Sequence, residues 1–357
     1  MLNGYVSSRI RPTQWSLNTG RSRPMRVLHR IYNFMSSMKT GLLLLLLIGL
    51  ASAIGSSALP GTFFHTPVFR FLLILLLLNL VLCTVNRVKQ TARVLLNRPG
   101  SKVWYRSLGI LLLHLGIVLI LAGGAVFAAY GQNERIQLMA GEQVDLSKVL
   151  DIKDPFTLRL DEFRIEFNED GSPSQYRSEV TILEQGQSVD QRVISVNHPL
   201  NYRGVKAYQF SFGYTVTAEY DGENGEKLCA NFLEGTWLKP AGTGRTVKIY
   251  KYIPDFNPAY GMKTATLRPD NPHVIFSVYE DDKFLGVGKA RLNEPTRIDE
   301  NVDISFTGVE AYTILEVKYD PGLPLVMTGG VILMLGVCMS VLAAPVRKKP
   351  AETQPQP

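Results

Sequence analysis

The sequence predicts a membrane α-helical protein with four transmembrane helices in a three-plus-one order and a large, mainly β extracytoplasmic domain. Three observations predict it. The apolar residues, 46% of the 357, are bunched into four runs rather than spread along the chain. The basic residues cluster in short segments beside those runs. Between the third and fourth runs lies a long segment of soluble composition with strand-like patterning.

A membrane helix needs about 20 mostly apolar residues to cross about 30 Å of hydrocarbon. The first run, residues 41–59, begins GLLLLLLIGLASAIGSSAL and is at the short end. Its Ala51-Ser52-Ala53 resembles a secretory cleavage site, but 40 residues precede it, so a retained span is expected. The second run, 68–85, reads VFRFLLILLLLNLVLCTV. The third, 108–129, contains LLLHLGIVLILAGG from Leu111 to Gly124. The fourth, 323–344, reads LPLVMTGGVILMLGVCMSVLAA.

The charges set the expected topology. Residues 1–40 hold Arg9, Arg11, Arg21, Arg23, Arg26, Arg30 and Lys39 and no acid. The linker 86–107 holds Arg87, Lys89, Arg93, Arg98, Lys102 and Arg106, again with no acid. The tail 345–357 holds Arg347, Lys348 and Lys349 against Glu352. Residues 130–320 carry 21 Lys/Arg and 30 Asp/Glu, a net of −9. Basic segments stay on the cytoplasmic side. Both termini and the linker are therefore expected inside, and the loop 60–67 and residues 130–320 outside. The net charge of +7 is thus a topological signal, not a nucleic-acid footprint.

The outer segment reads as strands. FTLRLDEFRIEF (Phe156 to Phe167) alternates apolar and polar residues for much of its length. VKAYQFSFGYTVTAEY, TVKIYKYI and HVIFSVYE are rich in β-branched and aromatic residues. Turn signals such as Glu169-Asp170-Gly171 and Asn271-Pro272 separate them. An antiparallel sandwich or barrel-like sheet is expected, in one lobe or two.

Several activities find no support. Of the three cysteines, Cys83 and Cys338 lie in spans and Cys229 stands alone outside, with no C-x-x-C and no C-x-x-C-H. Thiol oxidoreductase and c-type cytochrome are excluded on that ground. No phosphate loop or nucleophile elbow occurs. His198 and His273 have no second ligand at metal spacing and read as surface or strand-end residues. No catalytic residue is assigned.

His114 is the exception. It sits about six residues into its run, too deep for an imidazole to reach water easily. An ionisable residue at that depth is a candidate functional site. Three roles compete: a hydrogen bond to a neighbouring helix, a proton relay, for which Arg70 near the outer edge is the only further candidate in the spans, and ligation of haem iron through a neutral ring nitrogen.

VNHPLNYRGVKAYQFSFGY (Val196 to Tyr214) resembles the hallmark of the ResB family of cytochrome c biogenesis proteins, also called CcsB. The pattern N-x-P-L-x-Y-x-G followed by Y-Q falls on Asn197, Pro199, Leu200, Tyr202, Gly204, Tyr208 and Gln209. FMSSMKTGLLLLLL, LLLHLGIVLILAGG and DPGLPLVMTGGVILMLG resemble the family's entries into its first, third and last spans. The resemblance implies a subunit of the system II cytochrome c synthase in the bacterial inner membrane. That complex carries haem outward and attaches it to apocytochrome c. The implied partners are a CcsA-type haem-handling membrane protein, apocytochrome c and thiol-reducing proteins. The cargo is haem b. The resemblance makes His114 one axial ligand of a membrane-embedded haem iron, with the second from the partner. The family's tryptophan-rich haem-handling segment belongs to that partner, and this chain has only Trp15, Trp104 and Trp237. The Asn197 motif has a structural reading, with Pro199 fixing a bend and Gly204 a turn. His65, in the short outer loop near Arg70, is a lesser candidate for contact with haem propionates.

The alternative is a non-haem membrane scaffold, such as an export-permease or sensor subunit with an outer β domain. It asks only a hydrogen bond of His114 and leaves the Asn197 motif unexplained.

Overall fold

The structure is a computed structural model of the 357-residue chain, and it describes residues 23–58, 63–97, 100–222, 225–300 and 302–343. The chain divides into a helical unit, residues 1–125 and 322–357, and a β unit, residues 126–321. Most of the basic N-terminal segment and the whole tail from residue 344 lie outside the described residues.

Among the described residues, five α-helices build the helical unit: α1 (Arg23–Met35), α2 (Met38–Ala58), α3 (Pro67–Leu96), α4 (Ser101–Tyr130) and α5 (Leu323–Leu342). Four of them, α2 to α5, are long and apolar enough to cross a membrane. The second and third apolar runs lie wholly within α3 and α4, and the first and fourth coincide with α2 and α5 as far as Ala58 and Leu342. Both α3 and α4 run well past their apolar stretches, so the basic residues 86–107 are largely helical rather than an open linker. Arg, Lys and Gln are good helix formers. Only Asn97 to Gly100 separate the two helices. The start of α3 is fixed by Thr66, whose hydroxyl accepts from the Phe69 N–H at 3.4 Å, with Pro67 at the first helical position.

Asn79, buried in the middle of α3, secures the corner between α1 and α2. Its Nδ2 donates to the Met35 carbonyl at 2.5 Å and to the Ser37 carbonyl at 3.2 Å. Met35 ends α1, so its carbonyl is among those a helix end leaves without an intrahelical partner, while the Ser37 carbonyl also accepts from the Gly41 N–H at 3.1 Å. Along the same α3 face, Cys83 donates to the Ser36 carbonyl at 3.2 Å, and Asn86 accepts from the Tyr32 hydroxyl at 2.6 Å. Helix α1 falls inside the basic segment 1–40, where the sequence pattern predicts no helix. Its Val27, Leu28, Ile31 and Phe34 are exposed, and they fall on one face at helical spacing.

Helices α4 and α5 pack backbone to backbone. The buried residues of α4 are Ser107, Gly109, Gly116 and Gly123, and those of α5 are Gly329 and Gly336. The glycines recur every seven residues on both helices, which puts them on one stripe. A Cβ added at Gly116 would lie 2.7 Å from the Leu333 nitrogen and 2.8 Å from the Gly329 oxygen. No side chain fits there.

The β unit has three antiparallel sheets. The first contains β1 (Gln132–Leu138), β6 (Leu200–Tyr202), β7 (Val205–Asp221), β8 (Lys227–Leu233), β13 (Pro295–Asp299) and β14 (Val302–Tyr319). The second orders β2 (Gln143–Asp145), β3 (Thr157–Phe167), β4 (Pro173–Glu184) and β5 (Gln187–Ser195). The third contains β9 (Trp237–Leu238), β10 (Arg245–Ile253), β11 (His273–Glu280) and β12 (Lys283–Arg291), in the order β12-β11-β10-β9. Sequence patterning and structure agree on a mainly β domain.

The long pair β7 and β14 is a spine shared by two cores. One core holds Leu158, Leu160, Ile182, Ile194, Val205, Ala207, Leu315 and Val317. The other holds Val216, Ala218, Val247, Ile249, Phe276, Ile304 and Phe306. Inward residues change parity along each spine strand, from 205 and 207 to 216 and 218 on β7. Register shifts at Phe210 and Thr307 account for it. Each bulge inserts one residue, so the inward face stays inward across the parity change. The same device acts in β3, where Leu158 and Leu160 give way to Phe163 across a shift at Asp161. Each fully buried Leu or Ile contributes about 2 kcal/mol relative to exposure.

Candidate functional site in the helical unit

His114 is the fourteenth of the thirty residues of α4, close to its middle. It is two positions before Gly116, so at about 100° per residue it projects from the side of α4 away from α5. The ring is half-buried, and its Nδ1 lies 2.8 Å from the Ile110 carbonyl oxygen one turn earlier. A carbonyl can only accept, so Nδ1 carries a proton, and the neutral form of the ring then keeps its lone pair on Nε2. The Nε2 lone pair is left available, and no described residue donates to it. A backbone carbonyl holding Nδ1–H is the arrangement that orients a metal-ligating imidazole. No group of three or more His, Cys, Asp or Glu that could hold a metal ion occurs among the described residues.

The same face of α4 continues towards the α3–α4 turn as Ile110, Ser107, Arg106 and Val103, at spacings of three and four. Facing them are Arg87, Gln90, Arg93 and Val94 of α3. Together these eight side chains line a cleft of about 560 Å³. Its geometry is set by a buried polar contact between the helices. The Thr91 hydroxyl donates to the Ser107 carbonyl at 3.4 Å, and the Ser107 hydroxyl donates to Thr91 Oγ1 at 3.2 Å. Arg87 donates through Nη1 to Gln90 Oε1 at 3.1 Å, while its Nε is buried with no hydrogen-bond partner among the described residues. In the sequence the three arginines carry only a topological signal. The spacing 87, 90, 94 against 103, 106, 107, 110, 114 was the signal available.

The Asn197 motif lies in the other unit and is built into turns and core. Ser195 and His198 exchange backbone hydrogen bonds at 3.0 and 3.1 Å across Val196 and Asn197, and Asn197 sits at φ 66°. Asparagine is among the few non-glycine residues that adopt this region. Pro199 is exposed and leads into Leu200, which is buried in the first core. Arg203 and Gly204 have φ 47° and 79°, the pair of positive values of a two-residue I′ hairpin turn joining β6 to β7. The Tyr202 hydroxyl donates to Glu184 at 2.5 Å, and its ring meets Phe156 edge-on at 5.0 Å. Tyr208 is half-buried on β7 opposite Glu316 of β14. Gln209 Oε1 accepts from the buried Ser178 and Thr313 hydroxyls at 2.8 and 3.1 Å, and its Nε2 donates to the Ser211 carbonyl at 2.9 Å. Thus the motif residues form two tight turns and a buried polar bridge across β4, β7 and β14.

His198 is exposed, with Nδ1 at 3.2 Å from the Val196 carbonyl oxygen. His273 is buried against Phe256, its ring centroid 4.8 Å away. The side chain of His65 lies outside the described residues. The β unit has its own apolar cleft of about 340 Å³, where Phe163 and Phe167 face Tyr214 and Tyr252. Burial pushes the Tyr252 hydroxyl up to about 12 and Tyr214 further in the same direction.

The profile of the ResB-like family matches residues 99–309. Among curated proteins, the chain is 29% identical over 277 residues to the cytochrome c biogenesis protein CcsB of Nostoc sp. (strain PCC 7120), covering 72% of this chain and 57% of that protein. It is 26% identical over 260 residues to the CcsB of Synechococcus sp. (strain JA-3-3Ab), covering 68% and 53%. It therefore spans little more than half the length of these relatives. Among solved structures, cytochrome c haem lyase CcmF aligns with 85% of this chain and 35% of its own at 12% identity, with a TM-score of 0.30, too low for any argument from fold. The matched span takes in α4, with His114, and the whole Asn197 motif, and it exceeds half of the sequence: the chain belongs to the ResB-like family.

Proposed function

We propose that this chain is a subunit of a system II cytochrome c synthase, in which it holds haem within the membrane and helps present it, with apocytochrome c, for covalent attachment. The observation that carries this reading is the His114 imidazole in the middle of an apolar helix, its Nδ1–H given to Ile110 and its Nε2 available. A neutral imidazole so oriented supplies one axial ligand to the iron of haem b, and a single histidine is half of an axial pair. The second ligand comes from a CcsA-type partner. The names of the curated relatives support the pathway, and the family membership supports the pairing.

The charge distribution supports the orientation. Basic residues crowd the ends of the helical unit, while residues 130–320 carry a net of −9. By the positive-inside rule the termini and the α3–α4 turn face the cytoplasm of a bacterial inner membrane, and the β unit faces outward. In this reading haem enters from the cytoplasmic side and the β unit docks on the partner, where apocytochrome c and thiol-reducing proteins meet. The Asn197 motif shapes that docking domain rather than touching haem.

The test is haem retention. The chain is co-expressed with its CcsA-type partner, purified through a tag on this chain, and its Soret absorbance is read per complex. Wild type retains haem. His114→Ala retains about one tenth or less while the complex still assembles, and added imidazole restores part of the band. A His114→Asn complex with full haem content reduces His114 to a packing hydrogen bond and removes the assignment.

A further inference from the structure

The cleft between α3 and α4 gathers Arg87, Arg93 and Arg106 within one pocket. No Asp or Glu occurs among the described residues of the helical unit, and the whole unit holds seventeen Lys or Arg against the single Glu352. Nothing within the unit's described residues neutralises the three guanidinium groups. Gln90, the polar neighbour of Arg87, is uncharged, and Arg87 Nε is buried without a hydrogen-bond partner among the described residues. A buried charged donor left in this state is costly. The cleft therefore fits an anion that comes from outside the described residues of the unit.

Its walls narrow the chemistry. Val94, Val103 and Ile110 are apolar, so the ligand carries an apolar body as well as its charge. A volume of about 560 Å³ falls within the range of small-molecule sites. Ile110 joins the cleft to His114, because its side chain lines the one and its carbonyl holds the ring of the other. The two residues are four apart, about 6 Å along the helix axis and on the same face.

We propose that this cleft seats the propionate carboxylates of the haem whose iron His114 ligates. The proposal rests on the ligand assignment above and adds the anchor for the opposite end of the molecule. A porphyrin bound through His114 Nε2 stands with its plane along α4. Its propionate edge then points to the arginines and the rest of the ring to the apolar face. Guanidinium groups pair with carboxylates through two parallel hydrogen bonds, and this fixes the rotation of the ring about the iron–nitrogen bond. The geometry gives the chain a selective grip on the free dicarboxylate form of the porphyrin. An anionic phospholipid headgroup is the rival occupant. It would use the arginines but has no need of a histidine one turn away.

The experiment compares haem with haem dimethyl ester, which keeps the iron and lacks both negative charges. Each is titrated into the apo complex of this chain and its partner in zwitterionic nanodiscs, with the Soret band as readout. Wild type should bind haem about tenfold or more tightly than the ester, the size expected for one good charge-assisted pair. Arg87→Gln with Arg106→Gln should bring the ratio towards one. So should Gln90→Glu, which removes no arginine and sets a carboxylate beside Arg87, so a failure to fold does not mimic the result. Equal binding of haem and ester by wild type, or a ratio unchanged in both variants, overturns the proposal. So does a change in co-purified phosphatidylglycerol with the ratio intact, which makes the cleft a lipid site. The two assignments fail separately. A band that depends on His114 equally for haem and ester keeps the ligand and removes the anchor. Ester discrimination that survives His114→Ala with an unaltered spectrum does the reverse.

Discussion

In the β unit Arg164 reaches Glu179 at 2.6 Å and Arg203 reaches Glu184 at 2.6 Å, whereas in the helical unit Arg87 finds only the amide of Gln90. The β unit supplies its own counter-ions, and its buried hydroxyls at Ser178 and Thr313 share the Gln209 oxygen as acceptor. The helical unit is complete along the glycine stripe between α4 and α5 and incomplete on the opposite side of α4. There it presents an available imidazole nitrogen and a cluster of cations without acids. The difference separates what is built to be stable alone from what is built to receive something. The Asn197 motif lies in the first kind of region, while His114 and the arginine cleft lie in the second.

The largest effect is expected where the helical unit is already closed. Gly116→Leu forces a side chain against the α5 backbone and should cost about 3 kcal/mol or more, read as early thermal loss of helix in detergent, with the β-unit transition unmoved. A simultaneous shift of both transitions would break the comparison. Next comes the buried bridge of the β unit. Gln209→Leu removes the acceptor shared by the Ser178 and Thr313 hydroxyls, which keep only their mutual contact at 3.1 Å, and should cost about 1–3 kcal/mol in denaturant unfolding, with haem retention per folded complex unchanged. Loss of haem from folded complex would instead give the motif a direct role.

The smallest effect at neutral pH belongs to Tyr252. Its hydroxyl titrates near 12 when folded and near 10 when unfolded, because burial penalises the phenolate. The folded state thus holds its proton more tightly. The associated stability is whole below pH 10 and is lost as pH rises from 10 to about 12. Tyr252→Phe should change stability at pH 7 by no more than about 1 kcal/mol and should flatten the alkaline limb of the stability profile. An alkaline limb identical to wild type would show that this group does not contribute.

How much of this was legible in the sequence depended on how far apart the cooperating residues lie. The four spans were plain because each apolar run is contiguous, and the β domain because its strands alternate. The true lengths of α3 and α4 were not, since counting apolar residues stops at Arg87 and starts only after Arg106, although both are good helix formers. Helix α1 was hidden because its apolar residues are interleaved with arginines that drew a topological reading. Pairing of β7 with β14 passes through bulges at Phe210 and Thr307, which period-two counting does not anticipate. His114 stood out as a lone imidazole among leucines. The arginine cleft did not, since Arg87 and Arg106 come together only once α3 and α4 have folded into a hairpin.

The central claim is that His114 itself binds the iron, and the most direct measurement reads the iron's own ligand. Electron paramagnetic resonance and absorption spectra of the ferric complex are compared between wild type and His114→Cys. The account predicts that the variant either carries haem with a thiolate-type spectrum or loses haem until imidazole is added, because the atom at this position is a ligand. A His114→Cys complex that keeps haem with the wild-type spectrum would contradict it.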